Sequence, residues 1–132
     1  MPNRTDIRDA IETLVTGLTT TGANVSTSRV NPHESLPSLT IVSGEEEVFE
    51  IESGFYVRRY QVEIESRASG SSLDDTLDLI DSEVFAVLEA SKLSDNAMDT
   101  RWMFNTAPEL SGEGDTPIGL MIMTYEVMYE VD

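Results

Sequence analysis

The stretch from Phe55 to Leu93 constrains the fold most, because it joins an alternating strand, a glycine turn and a long helical pattern. Apolar and charged side chains first alternate, as in a strand with one dry face and one wet face. After Gly70 the apolar period changes to three and four residues, which is typical of an amphipathic helix. Ser71 or Ser72 can cap this helix, and two acids just inside it favour its N-terminal dipole. We expect the helix to pack on the dry face of the strand.

The residues that define the two faces follow from this alternation. The dry face of the strand holds Tyr56, Tyr60, Val62 and Ile64, and the wet face holds Arg59, Gln61, Glu63, Glu65 and Arg67. The helical stripe consists of Leu73, Leu77, Ile80, Val84, Val87 and Leu88. Burial of this stripe against the dry face predicts the folding core.

The other elements follow in chain order. Thr5 or Asp6 can cap a first helix whose stripe runs from Ile7 to Leu18 and which should end near Gly17 or before Gly22. Strands are predicted over 24–30, 36–42, 101–106 and 118–131, with loops at 31–34 and 107–117. The predicted order is α-β-β-β-α-β-β. The prediction is therefore one α+β domain over 1–132, with a mostly antiparallel or mixed five-stranded sheet covered by two helices.

Two strands carry finer expectations. In the fourth strand, Trp102, Phe104 and Thr106 should share one face. In the last strand, one side is lined by Met121, Met123, Tyr125, Val127, Tyr129 and Val131. The opposite side of that strand is also apolar in its first half, with Leu120 and Ile122, so this half should lie between two layers.

The charge of the chain is its clearest bulk property. It has 25 Asp and Glu against 8 Lys and Arg, a formal net charge of −17. Such a surface repels phosphate, so we expect no direct binding to nucleic acid or to an anionic membrane. The chain also has no cysteine and no apolar run long enough to span a bilayer, which favours folding in a reducing cytoplasm. The charge can be interpreted as a device for solubility, as a DNA mimic, or as a wall past which DNA slides.

Residues 44–54 differ from the rest of the chain. Five glutamates surround three apolar residues, Val48, Phe49 and Ile51. Close like charges repel and extend a backbone, which favours a mobile hairpin or long loop. The alternative is a contact arm whose apolar residues dock on a neighbour.

No pattern in the sequence points to catalysis or to a cofactor. The one histidine, His33, has Glu34 beside it but no second histidine or cysteine with which to build a metal site or triad. The acids at 74–75, 78 and 81 suit a helix start and a solvated helix face better than a Mg²⁺ or Ca²⁺ site. The segment 112–115 has two glycines but lacks a lysine and carries two acids, so it is interpreted as a turn.

Several landmarks in their order and spacing resemble the tail-terminator proteins of long-tailed bacteriophages, the minor tail protein U type. They are Arg4 and Arg8, Arg29-Val30-Asn31-Pro32, Leu36-Pro37-Ser38-Leu39, Arg58-Arg59, Asp74-Asp75-Thr76-Leu77-Asp78, Gly112-Glu113-Gly114-Asp115-Thr116-Pro117-Ile118-Gly119 and Tyr125-Glu126-Val127-Met128-Tyr129. The resemblance covers nearly the whole chain except 44–54. It implies a structural virion protein and no enzyme activity.

The resemblance implies a homo-oligomeric ring, usually a hexamer, at the head-proximal end of the tail, assembled in the host cytoplasm. The ring would cap the tail tube, stop its growth and offer a face to the head-tail connector or neck protein. The subunit interface is expected at Arg58, Arg59, Val48, Phe49 and Ile51, and acids facing the DNA channel are expected at Glu63 and Glu65 or at Glu45, Glu46 and Glu47. A head-tail neck or tail-completion protein is the alternative in the same class. An acidic DNA-mimic inhibitor of a host nuclease is the alternative in another class.

Overall fold

The structure, a computed structural model, describes residues 3–27, 36–93, 99–111 and 117–131 and has α+β architecture. The elements in chain order are α1 (Arg4–Val15), β1 (Val25–Ser26), β2 (Ser38–Glu52), β3 (Phe55–Ser69), α2 (Leu73–Ser91), β4 (Asp99–Asn105), β5 (Glu109–Ser111) and β6 (Ile118–Val131). His33 and the segment 112–115 lie outside the described residues. The predicted class and the two helices are confirmed.

The strands form one mixed six-stranded sheet. Its order is β1-β2-β3-β6-β4, and β5 also pairs with β6. The short β1 is parallel to β2, and the other pairs are antiparallel. The five-stranded prediction misses β5, which lies in the segment 107–117 that the sequence pattern predicts as a loop. A strand of three residues, Glu109–Ser111, is too short to produce an alternating pattern.

Both helices cover the same face of the sheet and form one core with it. The predicted stripes are confirmed: α1 buries Ile7, Ile11 and Val15, and α2 buries Leu73, Leu77, Ile80, Val84 and Leu88. On the sheet, the core holds Leu39, Ile41, Tyr60, Val62, Ile64, Ala68, Met121, Met123, Tyr125, Val127 and Tyr129. Each large apolar side chain buried here contributes roughly 1.5–3 kcal/mol of transfer free energy.

The ends of the helices show which polar residues fix their lengths. The first helix is capped by Asn3 rather than Thr5 or Asp6: the Asp6 N–H donates to Asn3 Oδ1 at 2.9 Å, and the Asn3 N–H donates to Asp6 Oδ2 at 3.1 Å. This reciprocal pair satisfies two backbone donors, so the helix begins earlier than predicted. It ends at Val15, close to the predicted stop, where Gly17 has a φ of +91°.

The expectation that β6 lies between two layers is wrong for the described residues. Both helices pack on the Met121 side of β6, while Leu120 and Ile122 are half-buried on the other face. There Arg67 pairs in register with Leu120, and Glu65 with Ile122. The aliphatic stems of such long side chains can shield apolar neighbours while their charged ends stay in water.

Three register shifts, each of one extra residue, change which residues share a face: one in β4 and two in β2, of which the second lies between Glu50 and Glu52. In β4 the register shifts between Trp102, opposite Tyr125, and Phe104, opposite Thr124, so the regular alternation assumed for 102, 104 and 106 is interrupted; the Phe104 side chain lies outside the described part of the structure. In β2 the register shifts between Ser43, opposite Val62, and Glu46, opposite Tyr60. Bulges insert one residue and reverse the side-chain alternation beyond it, which a simple period-2 pattern does not predict.

The segment 44–54 is part of a long hairpin. Its residues continue β2 to Glu52, turn through Ser53 and Gly54, and return as β3, which is paired along its length with β6. Gly44 lies at the bulge, where a Cβ would come to 3.0 Å from the Gln61 carbonyl oxygen, so this position favours glycine. We call residues 45–58 the arm.

Candidate interaction surfaces

Glu46 is the centre of a polar network at the base of the arm. Its Oε1 accepts from Arg58 Nη1 at 2.8 Å, and its Oε2 accepts from the Tyr129 hydroxyl at 2.8 Å. Arg4 of α1 approaches the same carboxylate, with Nε 3.8 Å from Oε2. The Glu46 side chain is only 11% exposed. Its carboxylate contacts three other elements, through Arg4 of α1, Arg58 of β3 and Tyr129 of β6.

The network shifts the pKa values of two of its members. Burial, followed by the hydrogen bond to Glu46, raises the pKa of Tyr129 to about 12. The hydrogen bond to Glu46 raises the pKa of the Arg58 guanidinium above its ordinary value. Both shifts favour the protonated donors that hold the Glu46 carboxylate, so the network is stable across the neutral pH range.

A second polar group joins α1 to the sheet beside this network. Arg8 Nη1 donates to Ser43 Oγ at 2.7 Å and to the Tyr60 hydroxyl at 2.9 Å. The two hydroxyls are themselves 2.6 Å apart. The arginines of α1, which form part of the family resemblance, thus fix the helix against β2 and β3.

The expected interface residues differ in how free they are. Arg58 is paired with Glu46, and the Arg59 guanidinium lies 5.1 Å from the centroid of the Phe49 ring, a cation–π contact on the other face. Phe49 is half-buried opposite Val57. By contrast, Val48 and Ile51 are 51% and 53% exposed. Of the five residues, these two remain open to a partner.

Tyr56 adds a third apolar side chain to the open part of the arm. The alternation predicts Tyr56 on the dry face of β3, and the strand register places it on that face. Its side chain is nevertheless 41% exposed, because it lies near the tip of the hairpin. Val48 shares this face, because it is paired with Arg58, two residues along β3 from Tyr56. We call Val48, Ile51 and Tyr56 the arm patch.

The candidate channel acids fall into separate groups. Glu63 and Glu65 lie half-buried on the helix-free face of β3, and Glu65 pairs with Arg67 at 3.1 Å. Glu45 and Glu47 are exposed on the arm. Glu46, which the sequence groups with them, points to the helix side and is paired with Arg58. Alternation along the strand separates Glu46 from Glu47, and the bulge at Gly44 determines that Glu46, and not Glu45, lies opposite Tyr60 on the helix side.

An aromatic groove lies at the opposite edge of the sheet, between α2 and β4. It has a volume of about 370 Å³ and is lined by Asp81, Phe85, Trp102, Met103 and Asn105. Phe85 stacks on Trp102 with ring centroids 5.5 Å apart. The ring centroids of Trp102 and Tyr125 are 5.0 Å apart. Phe85 is 47% exposed and Met103 36% exposed. Asn105 donates to Asp81 at 2.9 Å, which ties the two walls together.

Sequence signals for this groove and for the Glu46 network are weak. Phe85 interrupts the polar face of α2, so a search for exposed aromatics on predicted helices would find it, but not Trp102, which is half-buried on a strand. The contact of Glu46 with Tyr129 joins residues 83 positions apart. No local pattern predicts such a pair.

The described residues offer little other functional chemistry. A cleft of about 560 Å³ at the start of α2 is lined by Ser72, Asp74, Asp75, Leu110 and others, and it is acidic. Within the described ranges, no three His, Cys, Asp or Glu side chains are grouped so that they could hold a metal ion. Neither described helix is long and apolar enough to cross a membrane.

Comparison with known proteins adds no family assignment. A scan against protein-family models and a search of curated proteins each found no match to this chain.

Proposed function

We propose that this protein is a structural virion protein, a tail terminator that forms a ring on the tail tube, stops tube growth and provides the surface joined to the head connector. One observation carries the proposal beside the resemblance. Exposed apolar side chains form two separate surfaces at opposite edges of the sheet: the arm patch and the aromatic groove. A capping subunit must bind both its own copies and a second protein, and it therefore needs more than one such surface.

The groove is the better candidate for contact between copies. A closed ring uses two different surfaces of each subunit, one on either side. Phe85 and Met103 provide exposed apolar area at a sheet edge. Arg58, by contrast, is already held in an ion pair with Glu46 of the same chain. The interface expected at Arg58 and Arg59 therefore moves, in this proposal, to the groove.

The charge distribution supports a channel wall better than a DNA mimic. A DNA mimic requires rows of carboxylates spaced like phosphates. On the helix-free face of β3, Arg59 and Arg67 flank Glu63 and Glu65 on either side, so the row of acids is only two residues long. A wall that DNA only has to pass needs net repulsion and no regular spacing.

Electron microscopy of the purified protein, alone and mixed with assembled tail tubes, tests the proposal. We expect rings, and tubes capped at one end. Phe85→Ser should prevent ring formation while leaving the monomer folded, because it removes exposed apolar area from the groove. Leu79→Ser is the matched control, since Leu79 is 56% exposed on the same helix but lies outside the groove.

The outcomes separate the hypotheses. If neither rings nor capped tubes form under any condition, the terminator function is contradicted. If Phe85→Ser assembles as well as Leu79→Ser, the subunit contact lies elsewhere. Capture of a nuclease from host lysate, without binding to tubes, would favour the DNA-mimic alternative.

A further inference from the structure

We infer that the arm binds an extended, basic segment of a different protein, which adds as a strand to the open edge of β2. The inference does not depend on ring formation. It rests on the backbone edge of the arm, on its exposed apolar residues and on its charge.

Along the arm, no strand of the described part of the chain pairs with the outer edge of β2. Its neighbour β1 pairs only with Leu39 and Thr40, and no other described strand lies on that side of β2. From Glu45 to Glu52 most residues are exposed, including Val48 and Ile51. An unpaired edge offers a row of N–H and C=O groups to an incoming strand, and exposed side chains along it supply contact area.

The charge of this edge excludes a second copy of the same segment. Residues 44–54 contain five glutamates and no cation. If two copies paired edge to edge, no register could place opposite charges across from each other. Acids would meet acids or apolar residues, which is the way natural proteins protect an open edge from self-association.

The other described residues of the chain also carry no unengaged lysine or arginine. Among the described residues, each lysine and arginine is engaged within the chain. Arg4, Arg58, Arg67, Lys92 and Arg101 pair with carboxylates, Arg8 donates to two hydroxyls, and Arg59 stacks on Phe49. None of these described cations is available to Glu45, Glu47, Glu50 and Glu52, which favours another protein as the source of the complementary charge.

The partner is thus a strand-forming segment in which lysine or arginine alternates with apolar residues. On one face of such a strand its cations would lie near Glu47 and Glu52, which are paired with Arg59 and Phe55 on the helix-free face. On the other face its apolar side chains would lie near Val48. Glu46 takes no part, because Arg58 and Tyr129 already hold it.

A labelled synthetic peptide that alternates lysine with isoleucine is the probe, and fluorescence anisotropy at physiological salt measures its binding. We expect the variant Glu45→Gln, Glu47→Gln, Glu50→Gln, Glu52→Gln to weaken binding about tenfold, through the loss of several exposed ion pairs. The matched control is Asp9→Asn, Asp75→Asn, Asp78→Asn, Glu109→Gln, which removes four exposed acids elsewhere and should bind as the parent does. A peptide with glutamate in place of lysine should not bind.

Hydrogen exchange of the β2 backbone amides distinguishes strand addition from attraction between charges alone. Strand addition should protect alternate amides between Ser43 and Glu52 when the peptide is bound. Equal weakening in both quadruple variants, or binding without added protection in β2, would overturn the inference. Ring formation should be unchanged in the arm variant, so failure of this test and failure of the terminator proposal can be distinguished.

Discussion

At the scale of single residues, Glu46 shows how a charged side chain in an acidic segment can be structural. Its neighbours in sequence, Glu45 and Glu47, are exposed, whereas its own carboxylate joins Arg58 and Tyr129. A carboxylate removed from water is stabilised only while its donors are in place, and each charged hydrogen bond contributes about 1.5–3 kcal/mol.

We expect Glu46→Gln to lower the free energy of unfolding by about 1–3 kcal/mol, because it leaves the Arg58 charge without its partner. Glu45→Gln, one position away and exposed, should change it by less than about 0.5 kcal/mol. Urea unfolding of both variants measures the difference. Similar losses in the two would mean that the Glu46 contacts do not contribute to stability.

The raised pKa of Tyr129, about 12 in the folded protein, predicts an alkaline limit to stability. The unfolded tyrosine ionises near pH 10, so stability is complete below that pH and falls as the pH rises towards 12. Tyr129→Phe should flatten this decline. Part of the decline should remain, since burial also raises the pKa of Tyr125.

Thermal unfolding of parent and Tyr129→Phe protein at several alkaline pH values measures the effect. Tyr56→Phe is the control, because Tyr56 is 41% exposed at the arm tip. A decline that is the same in all three proteins would show that Tyr129 does not titrate with the predicted linkage.

At the scale of elements, the contact of α2 with β6 depends on the absence of a side chain. A Cβ at Gly119 would lie 2.5 Å from Cδ1 of Leu73, which is the first residue of the helix. We expect Gly119→Ala to cost about 1–3 kcal/mol, as overpacking does in a filled core. Leu73→Val removes the Cδ1 atom and should relieve part of that cost.

The double-mutant cycle of Gly119→Ala and Leu73→Val tests this contact. We expect the double variant to be more stable than the sum of the two single losses predicts, because the residues touch. Strict additivity would show that the helix start shifts away from β6 without a specific clash.

The helices were predictable from sequence, and the irregular parts of the sheet were not. The stripes of α1 and α2 recur over several turns, so errors at single positions do not obscure them. The three register shifts each depend on one extra residue, and β5 on three residues. The candidate surfaces were partly foreseen: Val48 and Ile51 are exposed as a contact arm requires, but Arg58 and Arg59 pair within the chain through contacts that local sequence does not encode.

At the scale of the whole molecule, the charge of −17 predicts negligible binding to duplex DNA at physiological salt. Repulsion acts only within about 8 Å of the surface at that salt, so it matters where DNA passes close to the protein. If Glu63 and Glu65 face the channel, Glu63→Lys with Glu65→Lys should give the assembled protein salt-sensitive DNA binding.

Gel-shift assays over a series of salt concentrations measure this gain. Asp9→Lys with Asp78→Lys makes the same charge change at exposed positions of the two helices and should gain less. Equal gains in DNA binding by the two double variants would mean that Glu63 and Glu65 have no special position relative to the DNA. Strong salt-sensitive binding by the parent protein would contradict the predicted repulsion.

The bulge at Gly44 also determines how the chain can tolerate changes in length. Between Ser43 and Glu46, two residues of β2 face one residue of β3. Removing Glu45 would restore a regular ladder with Glu46 still opposite Tyr60, so every side chain towards the tip would keep its face. Removing Val48 would instead place Phe49 opposite Arg58 and Glu50 opposite Val57, which turns both side chains over before the second register shift of β2, between Glu50 and Glu52. Natural relatives that are one residue shorter in this hairpin should therefore lack a residue at one of these two shifts, at 44–45 or at Ile51, and not one of the regularly paired residues between them.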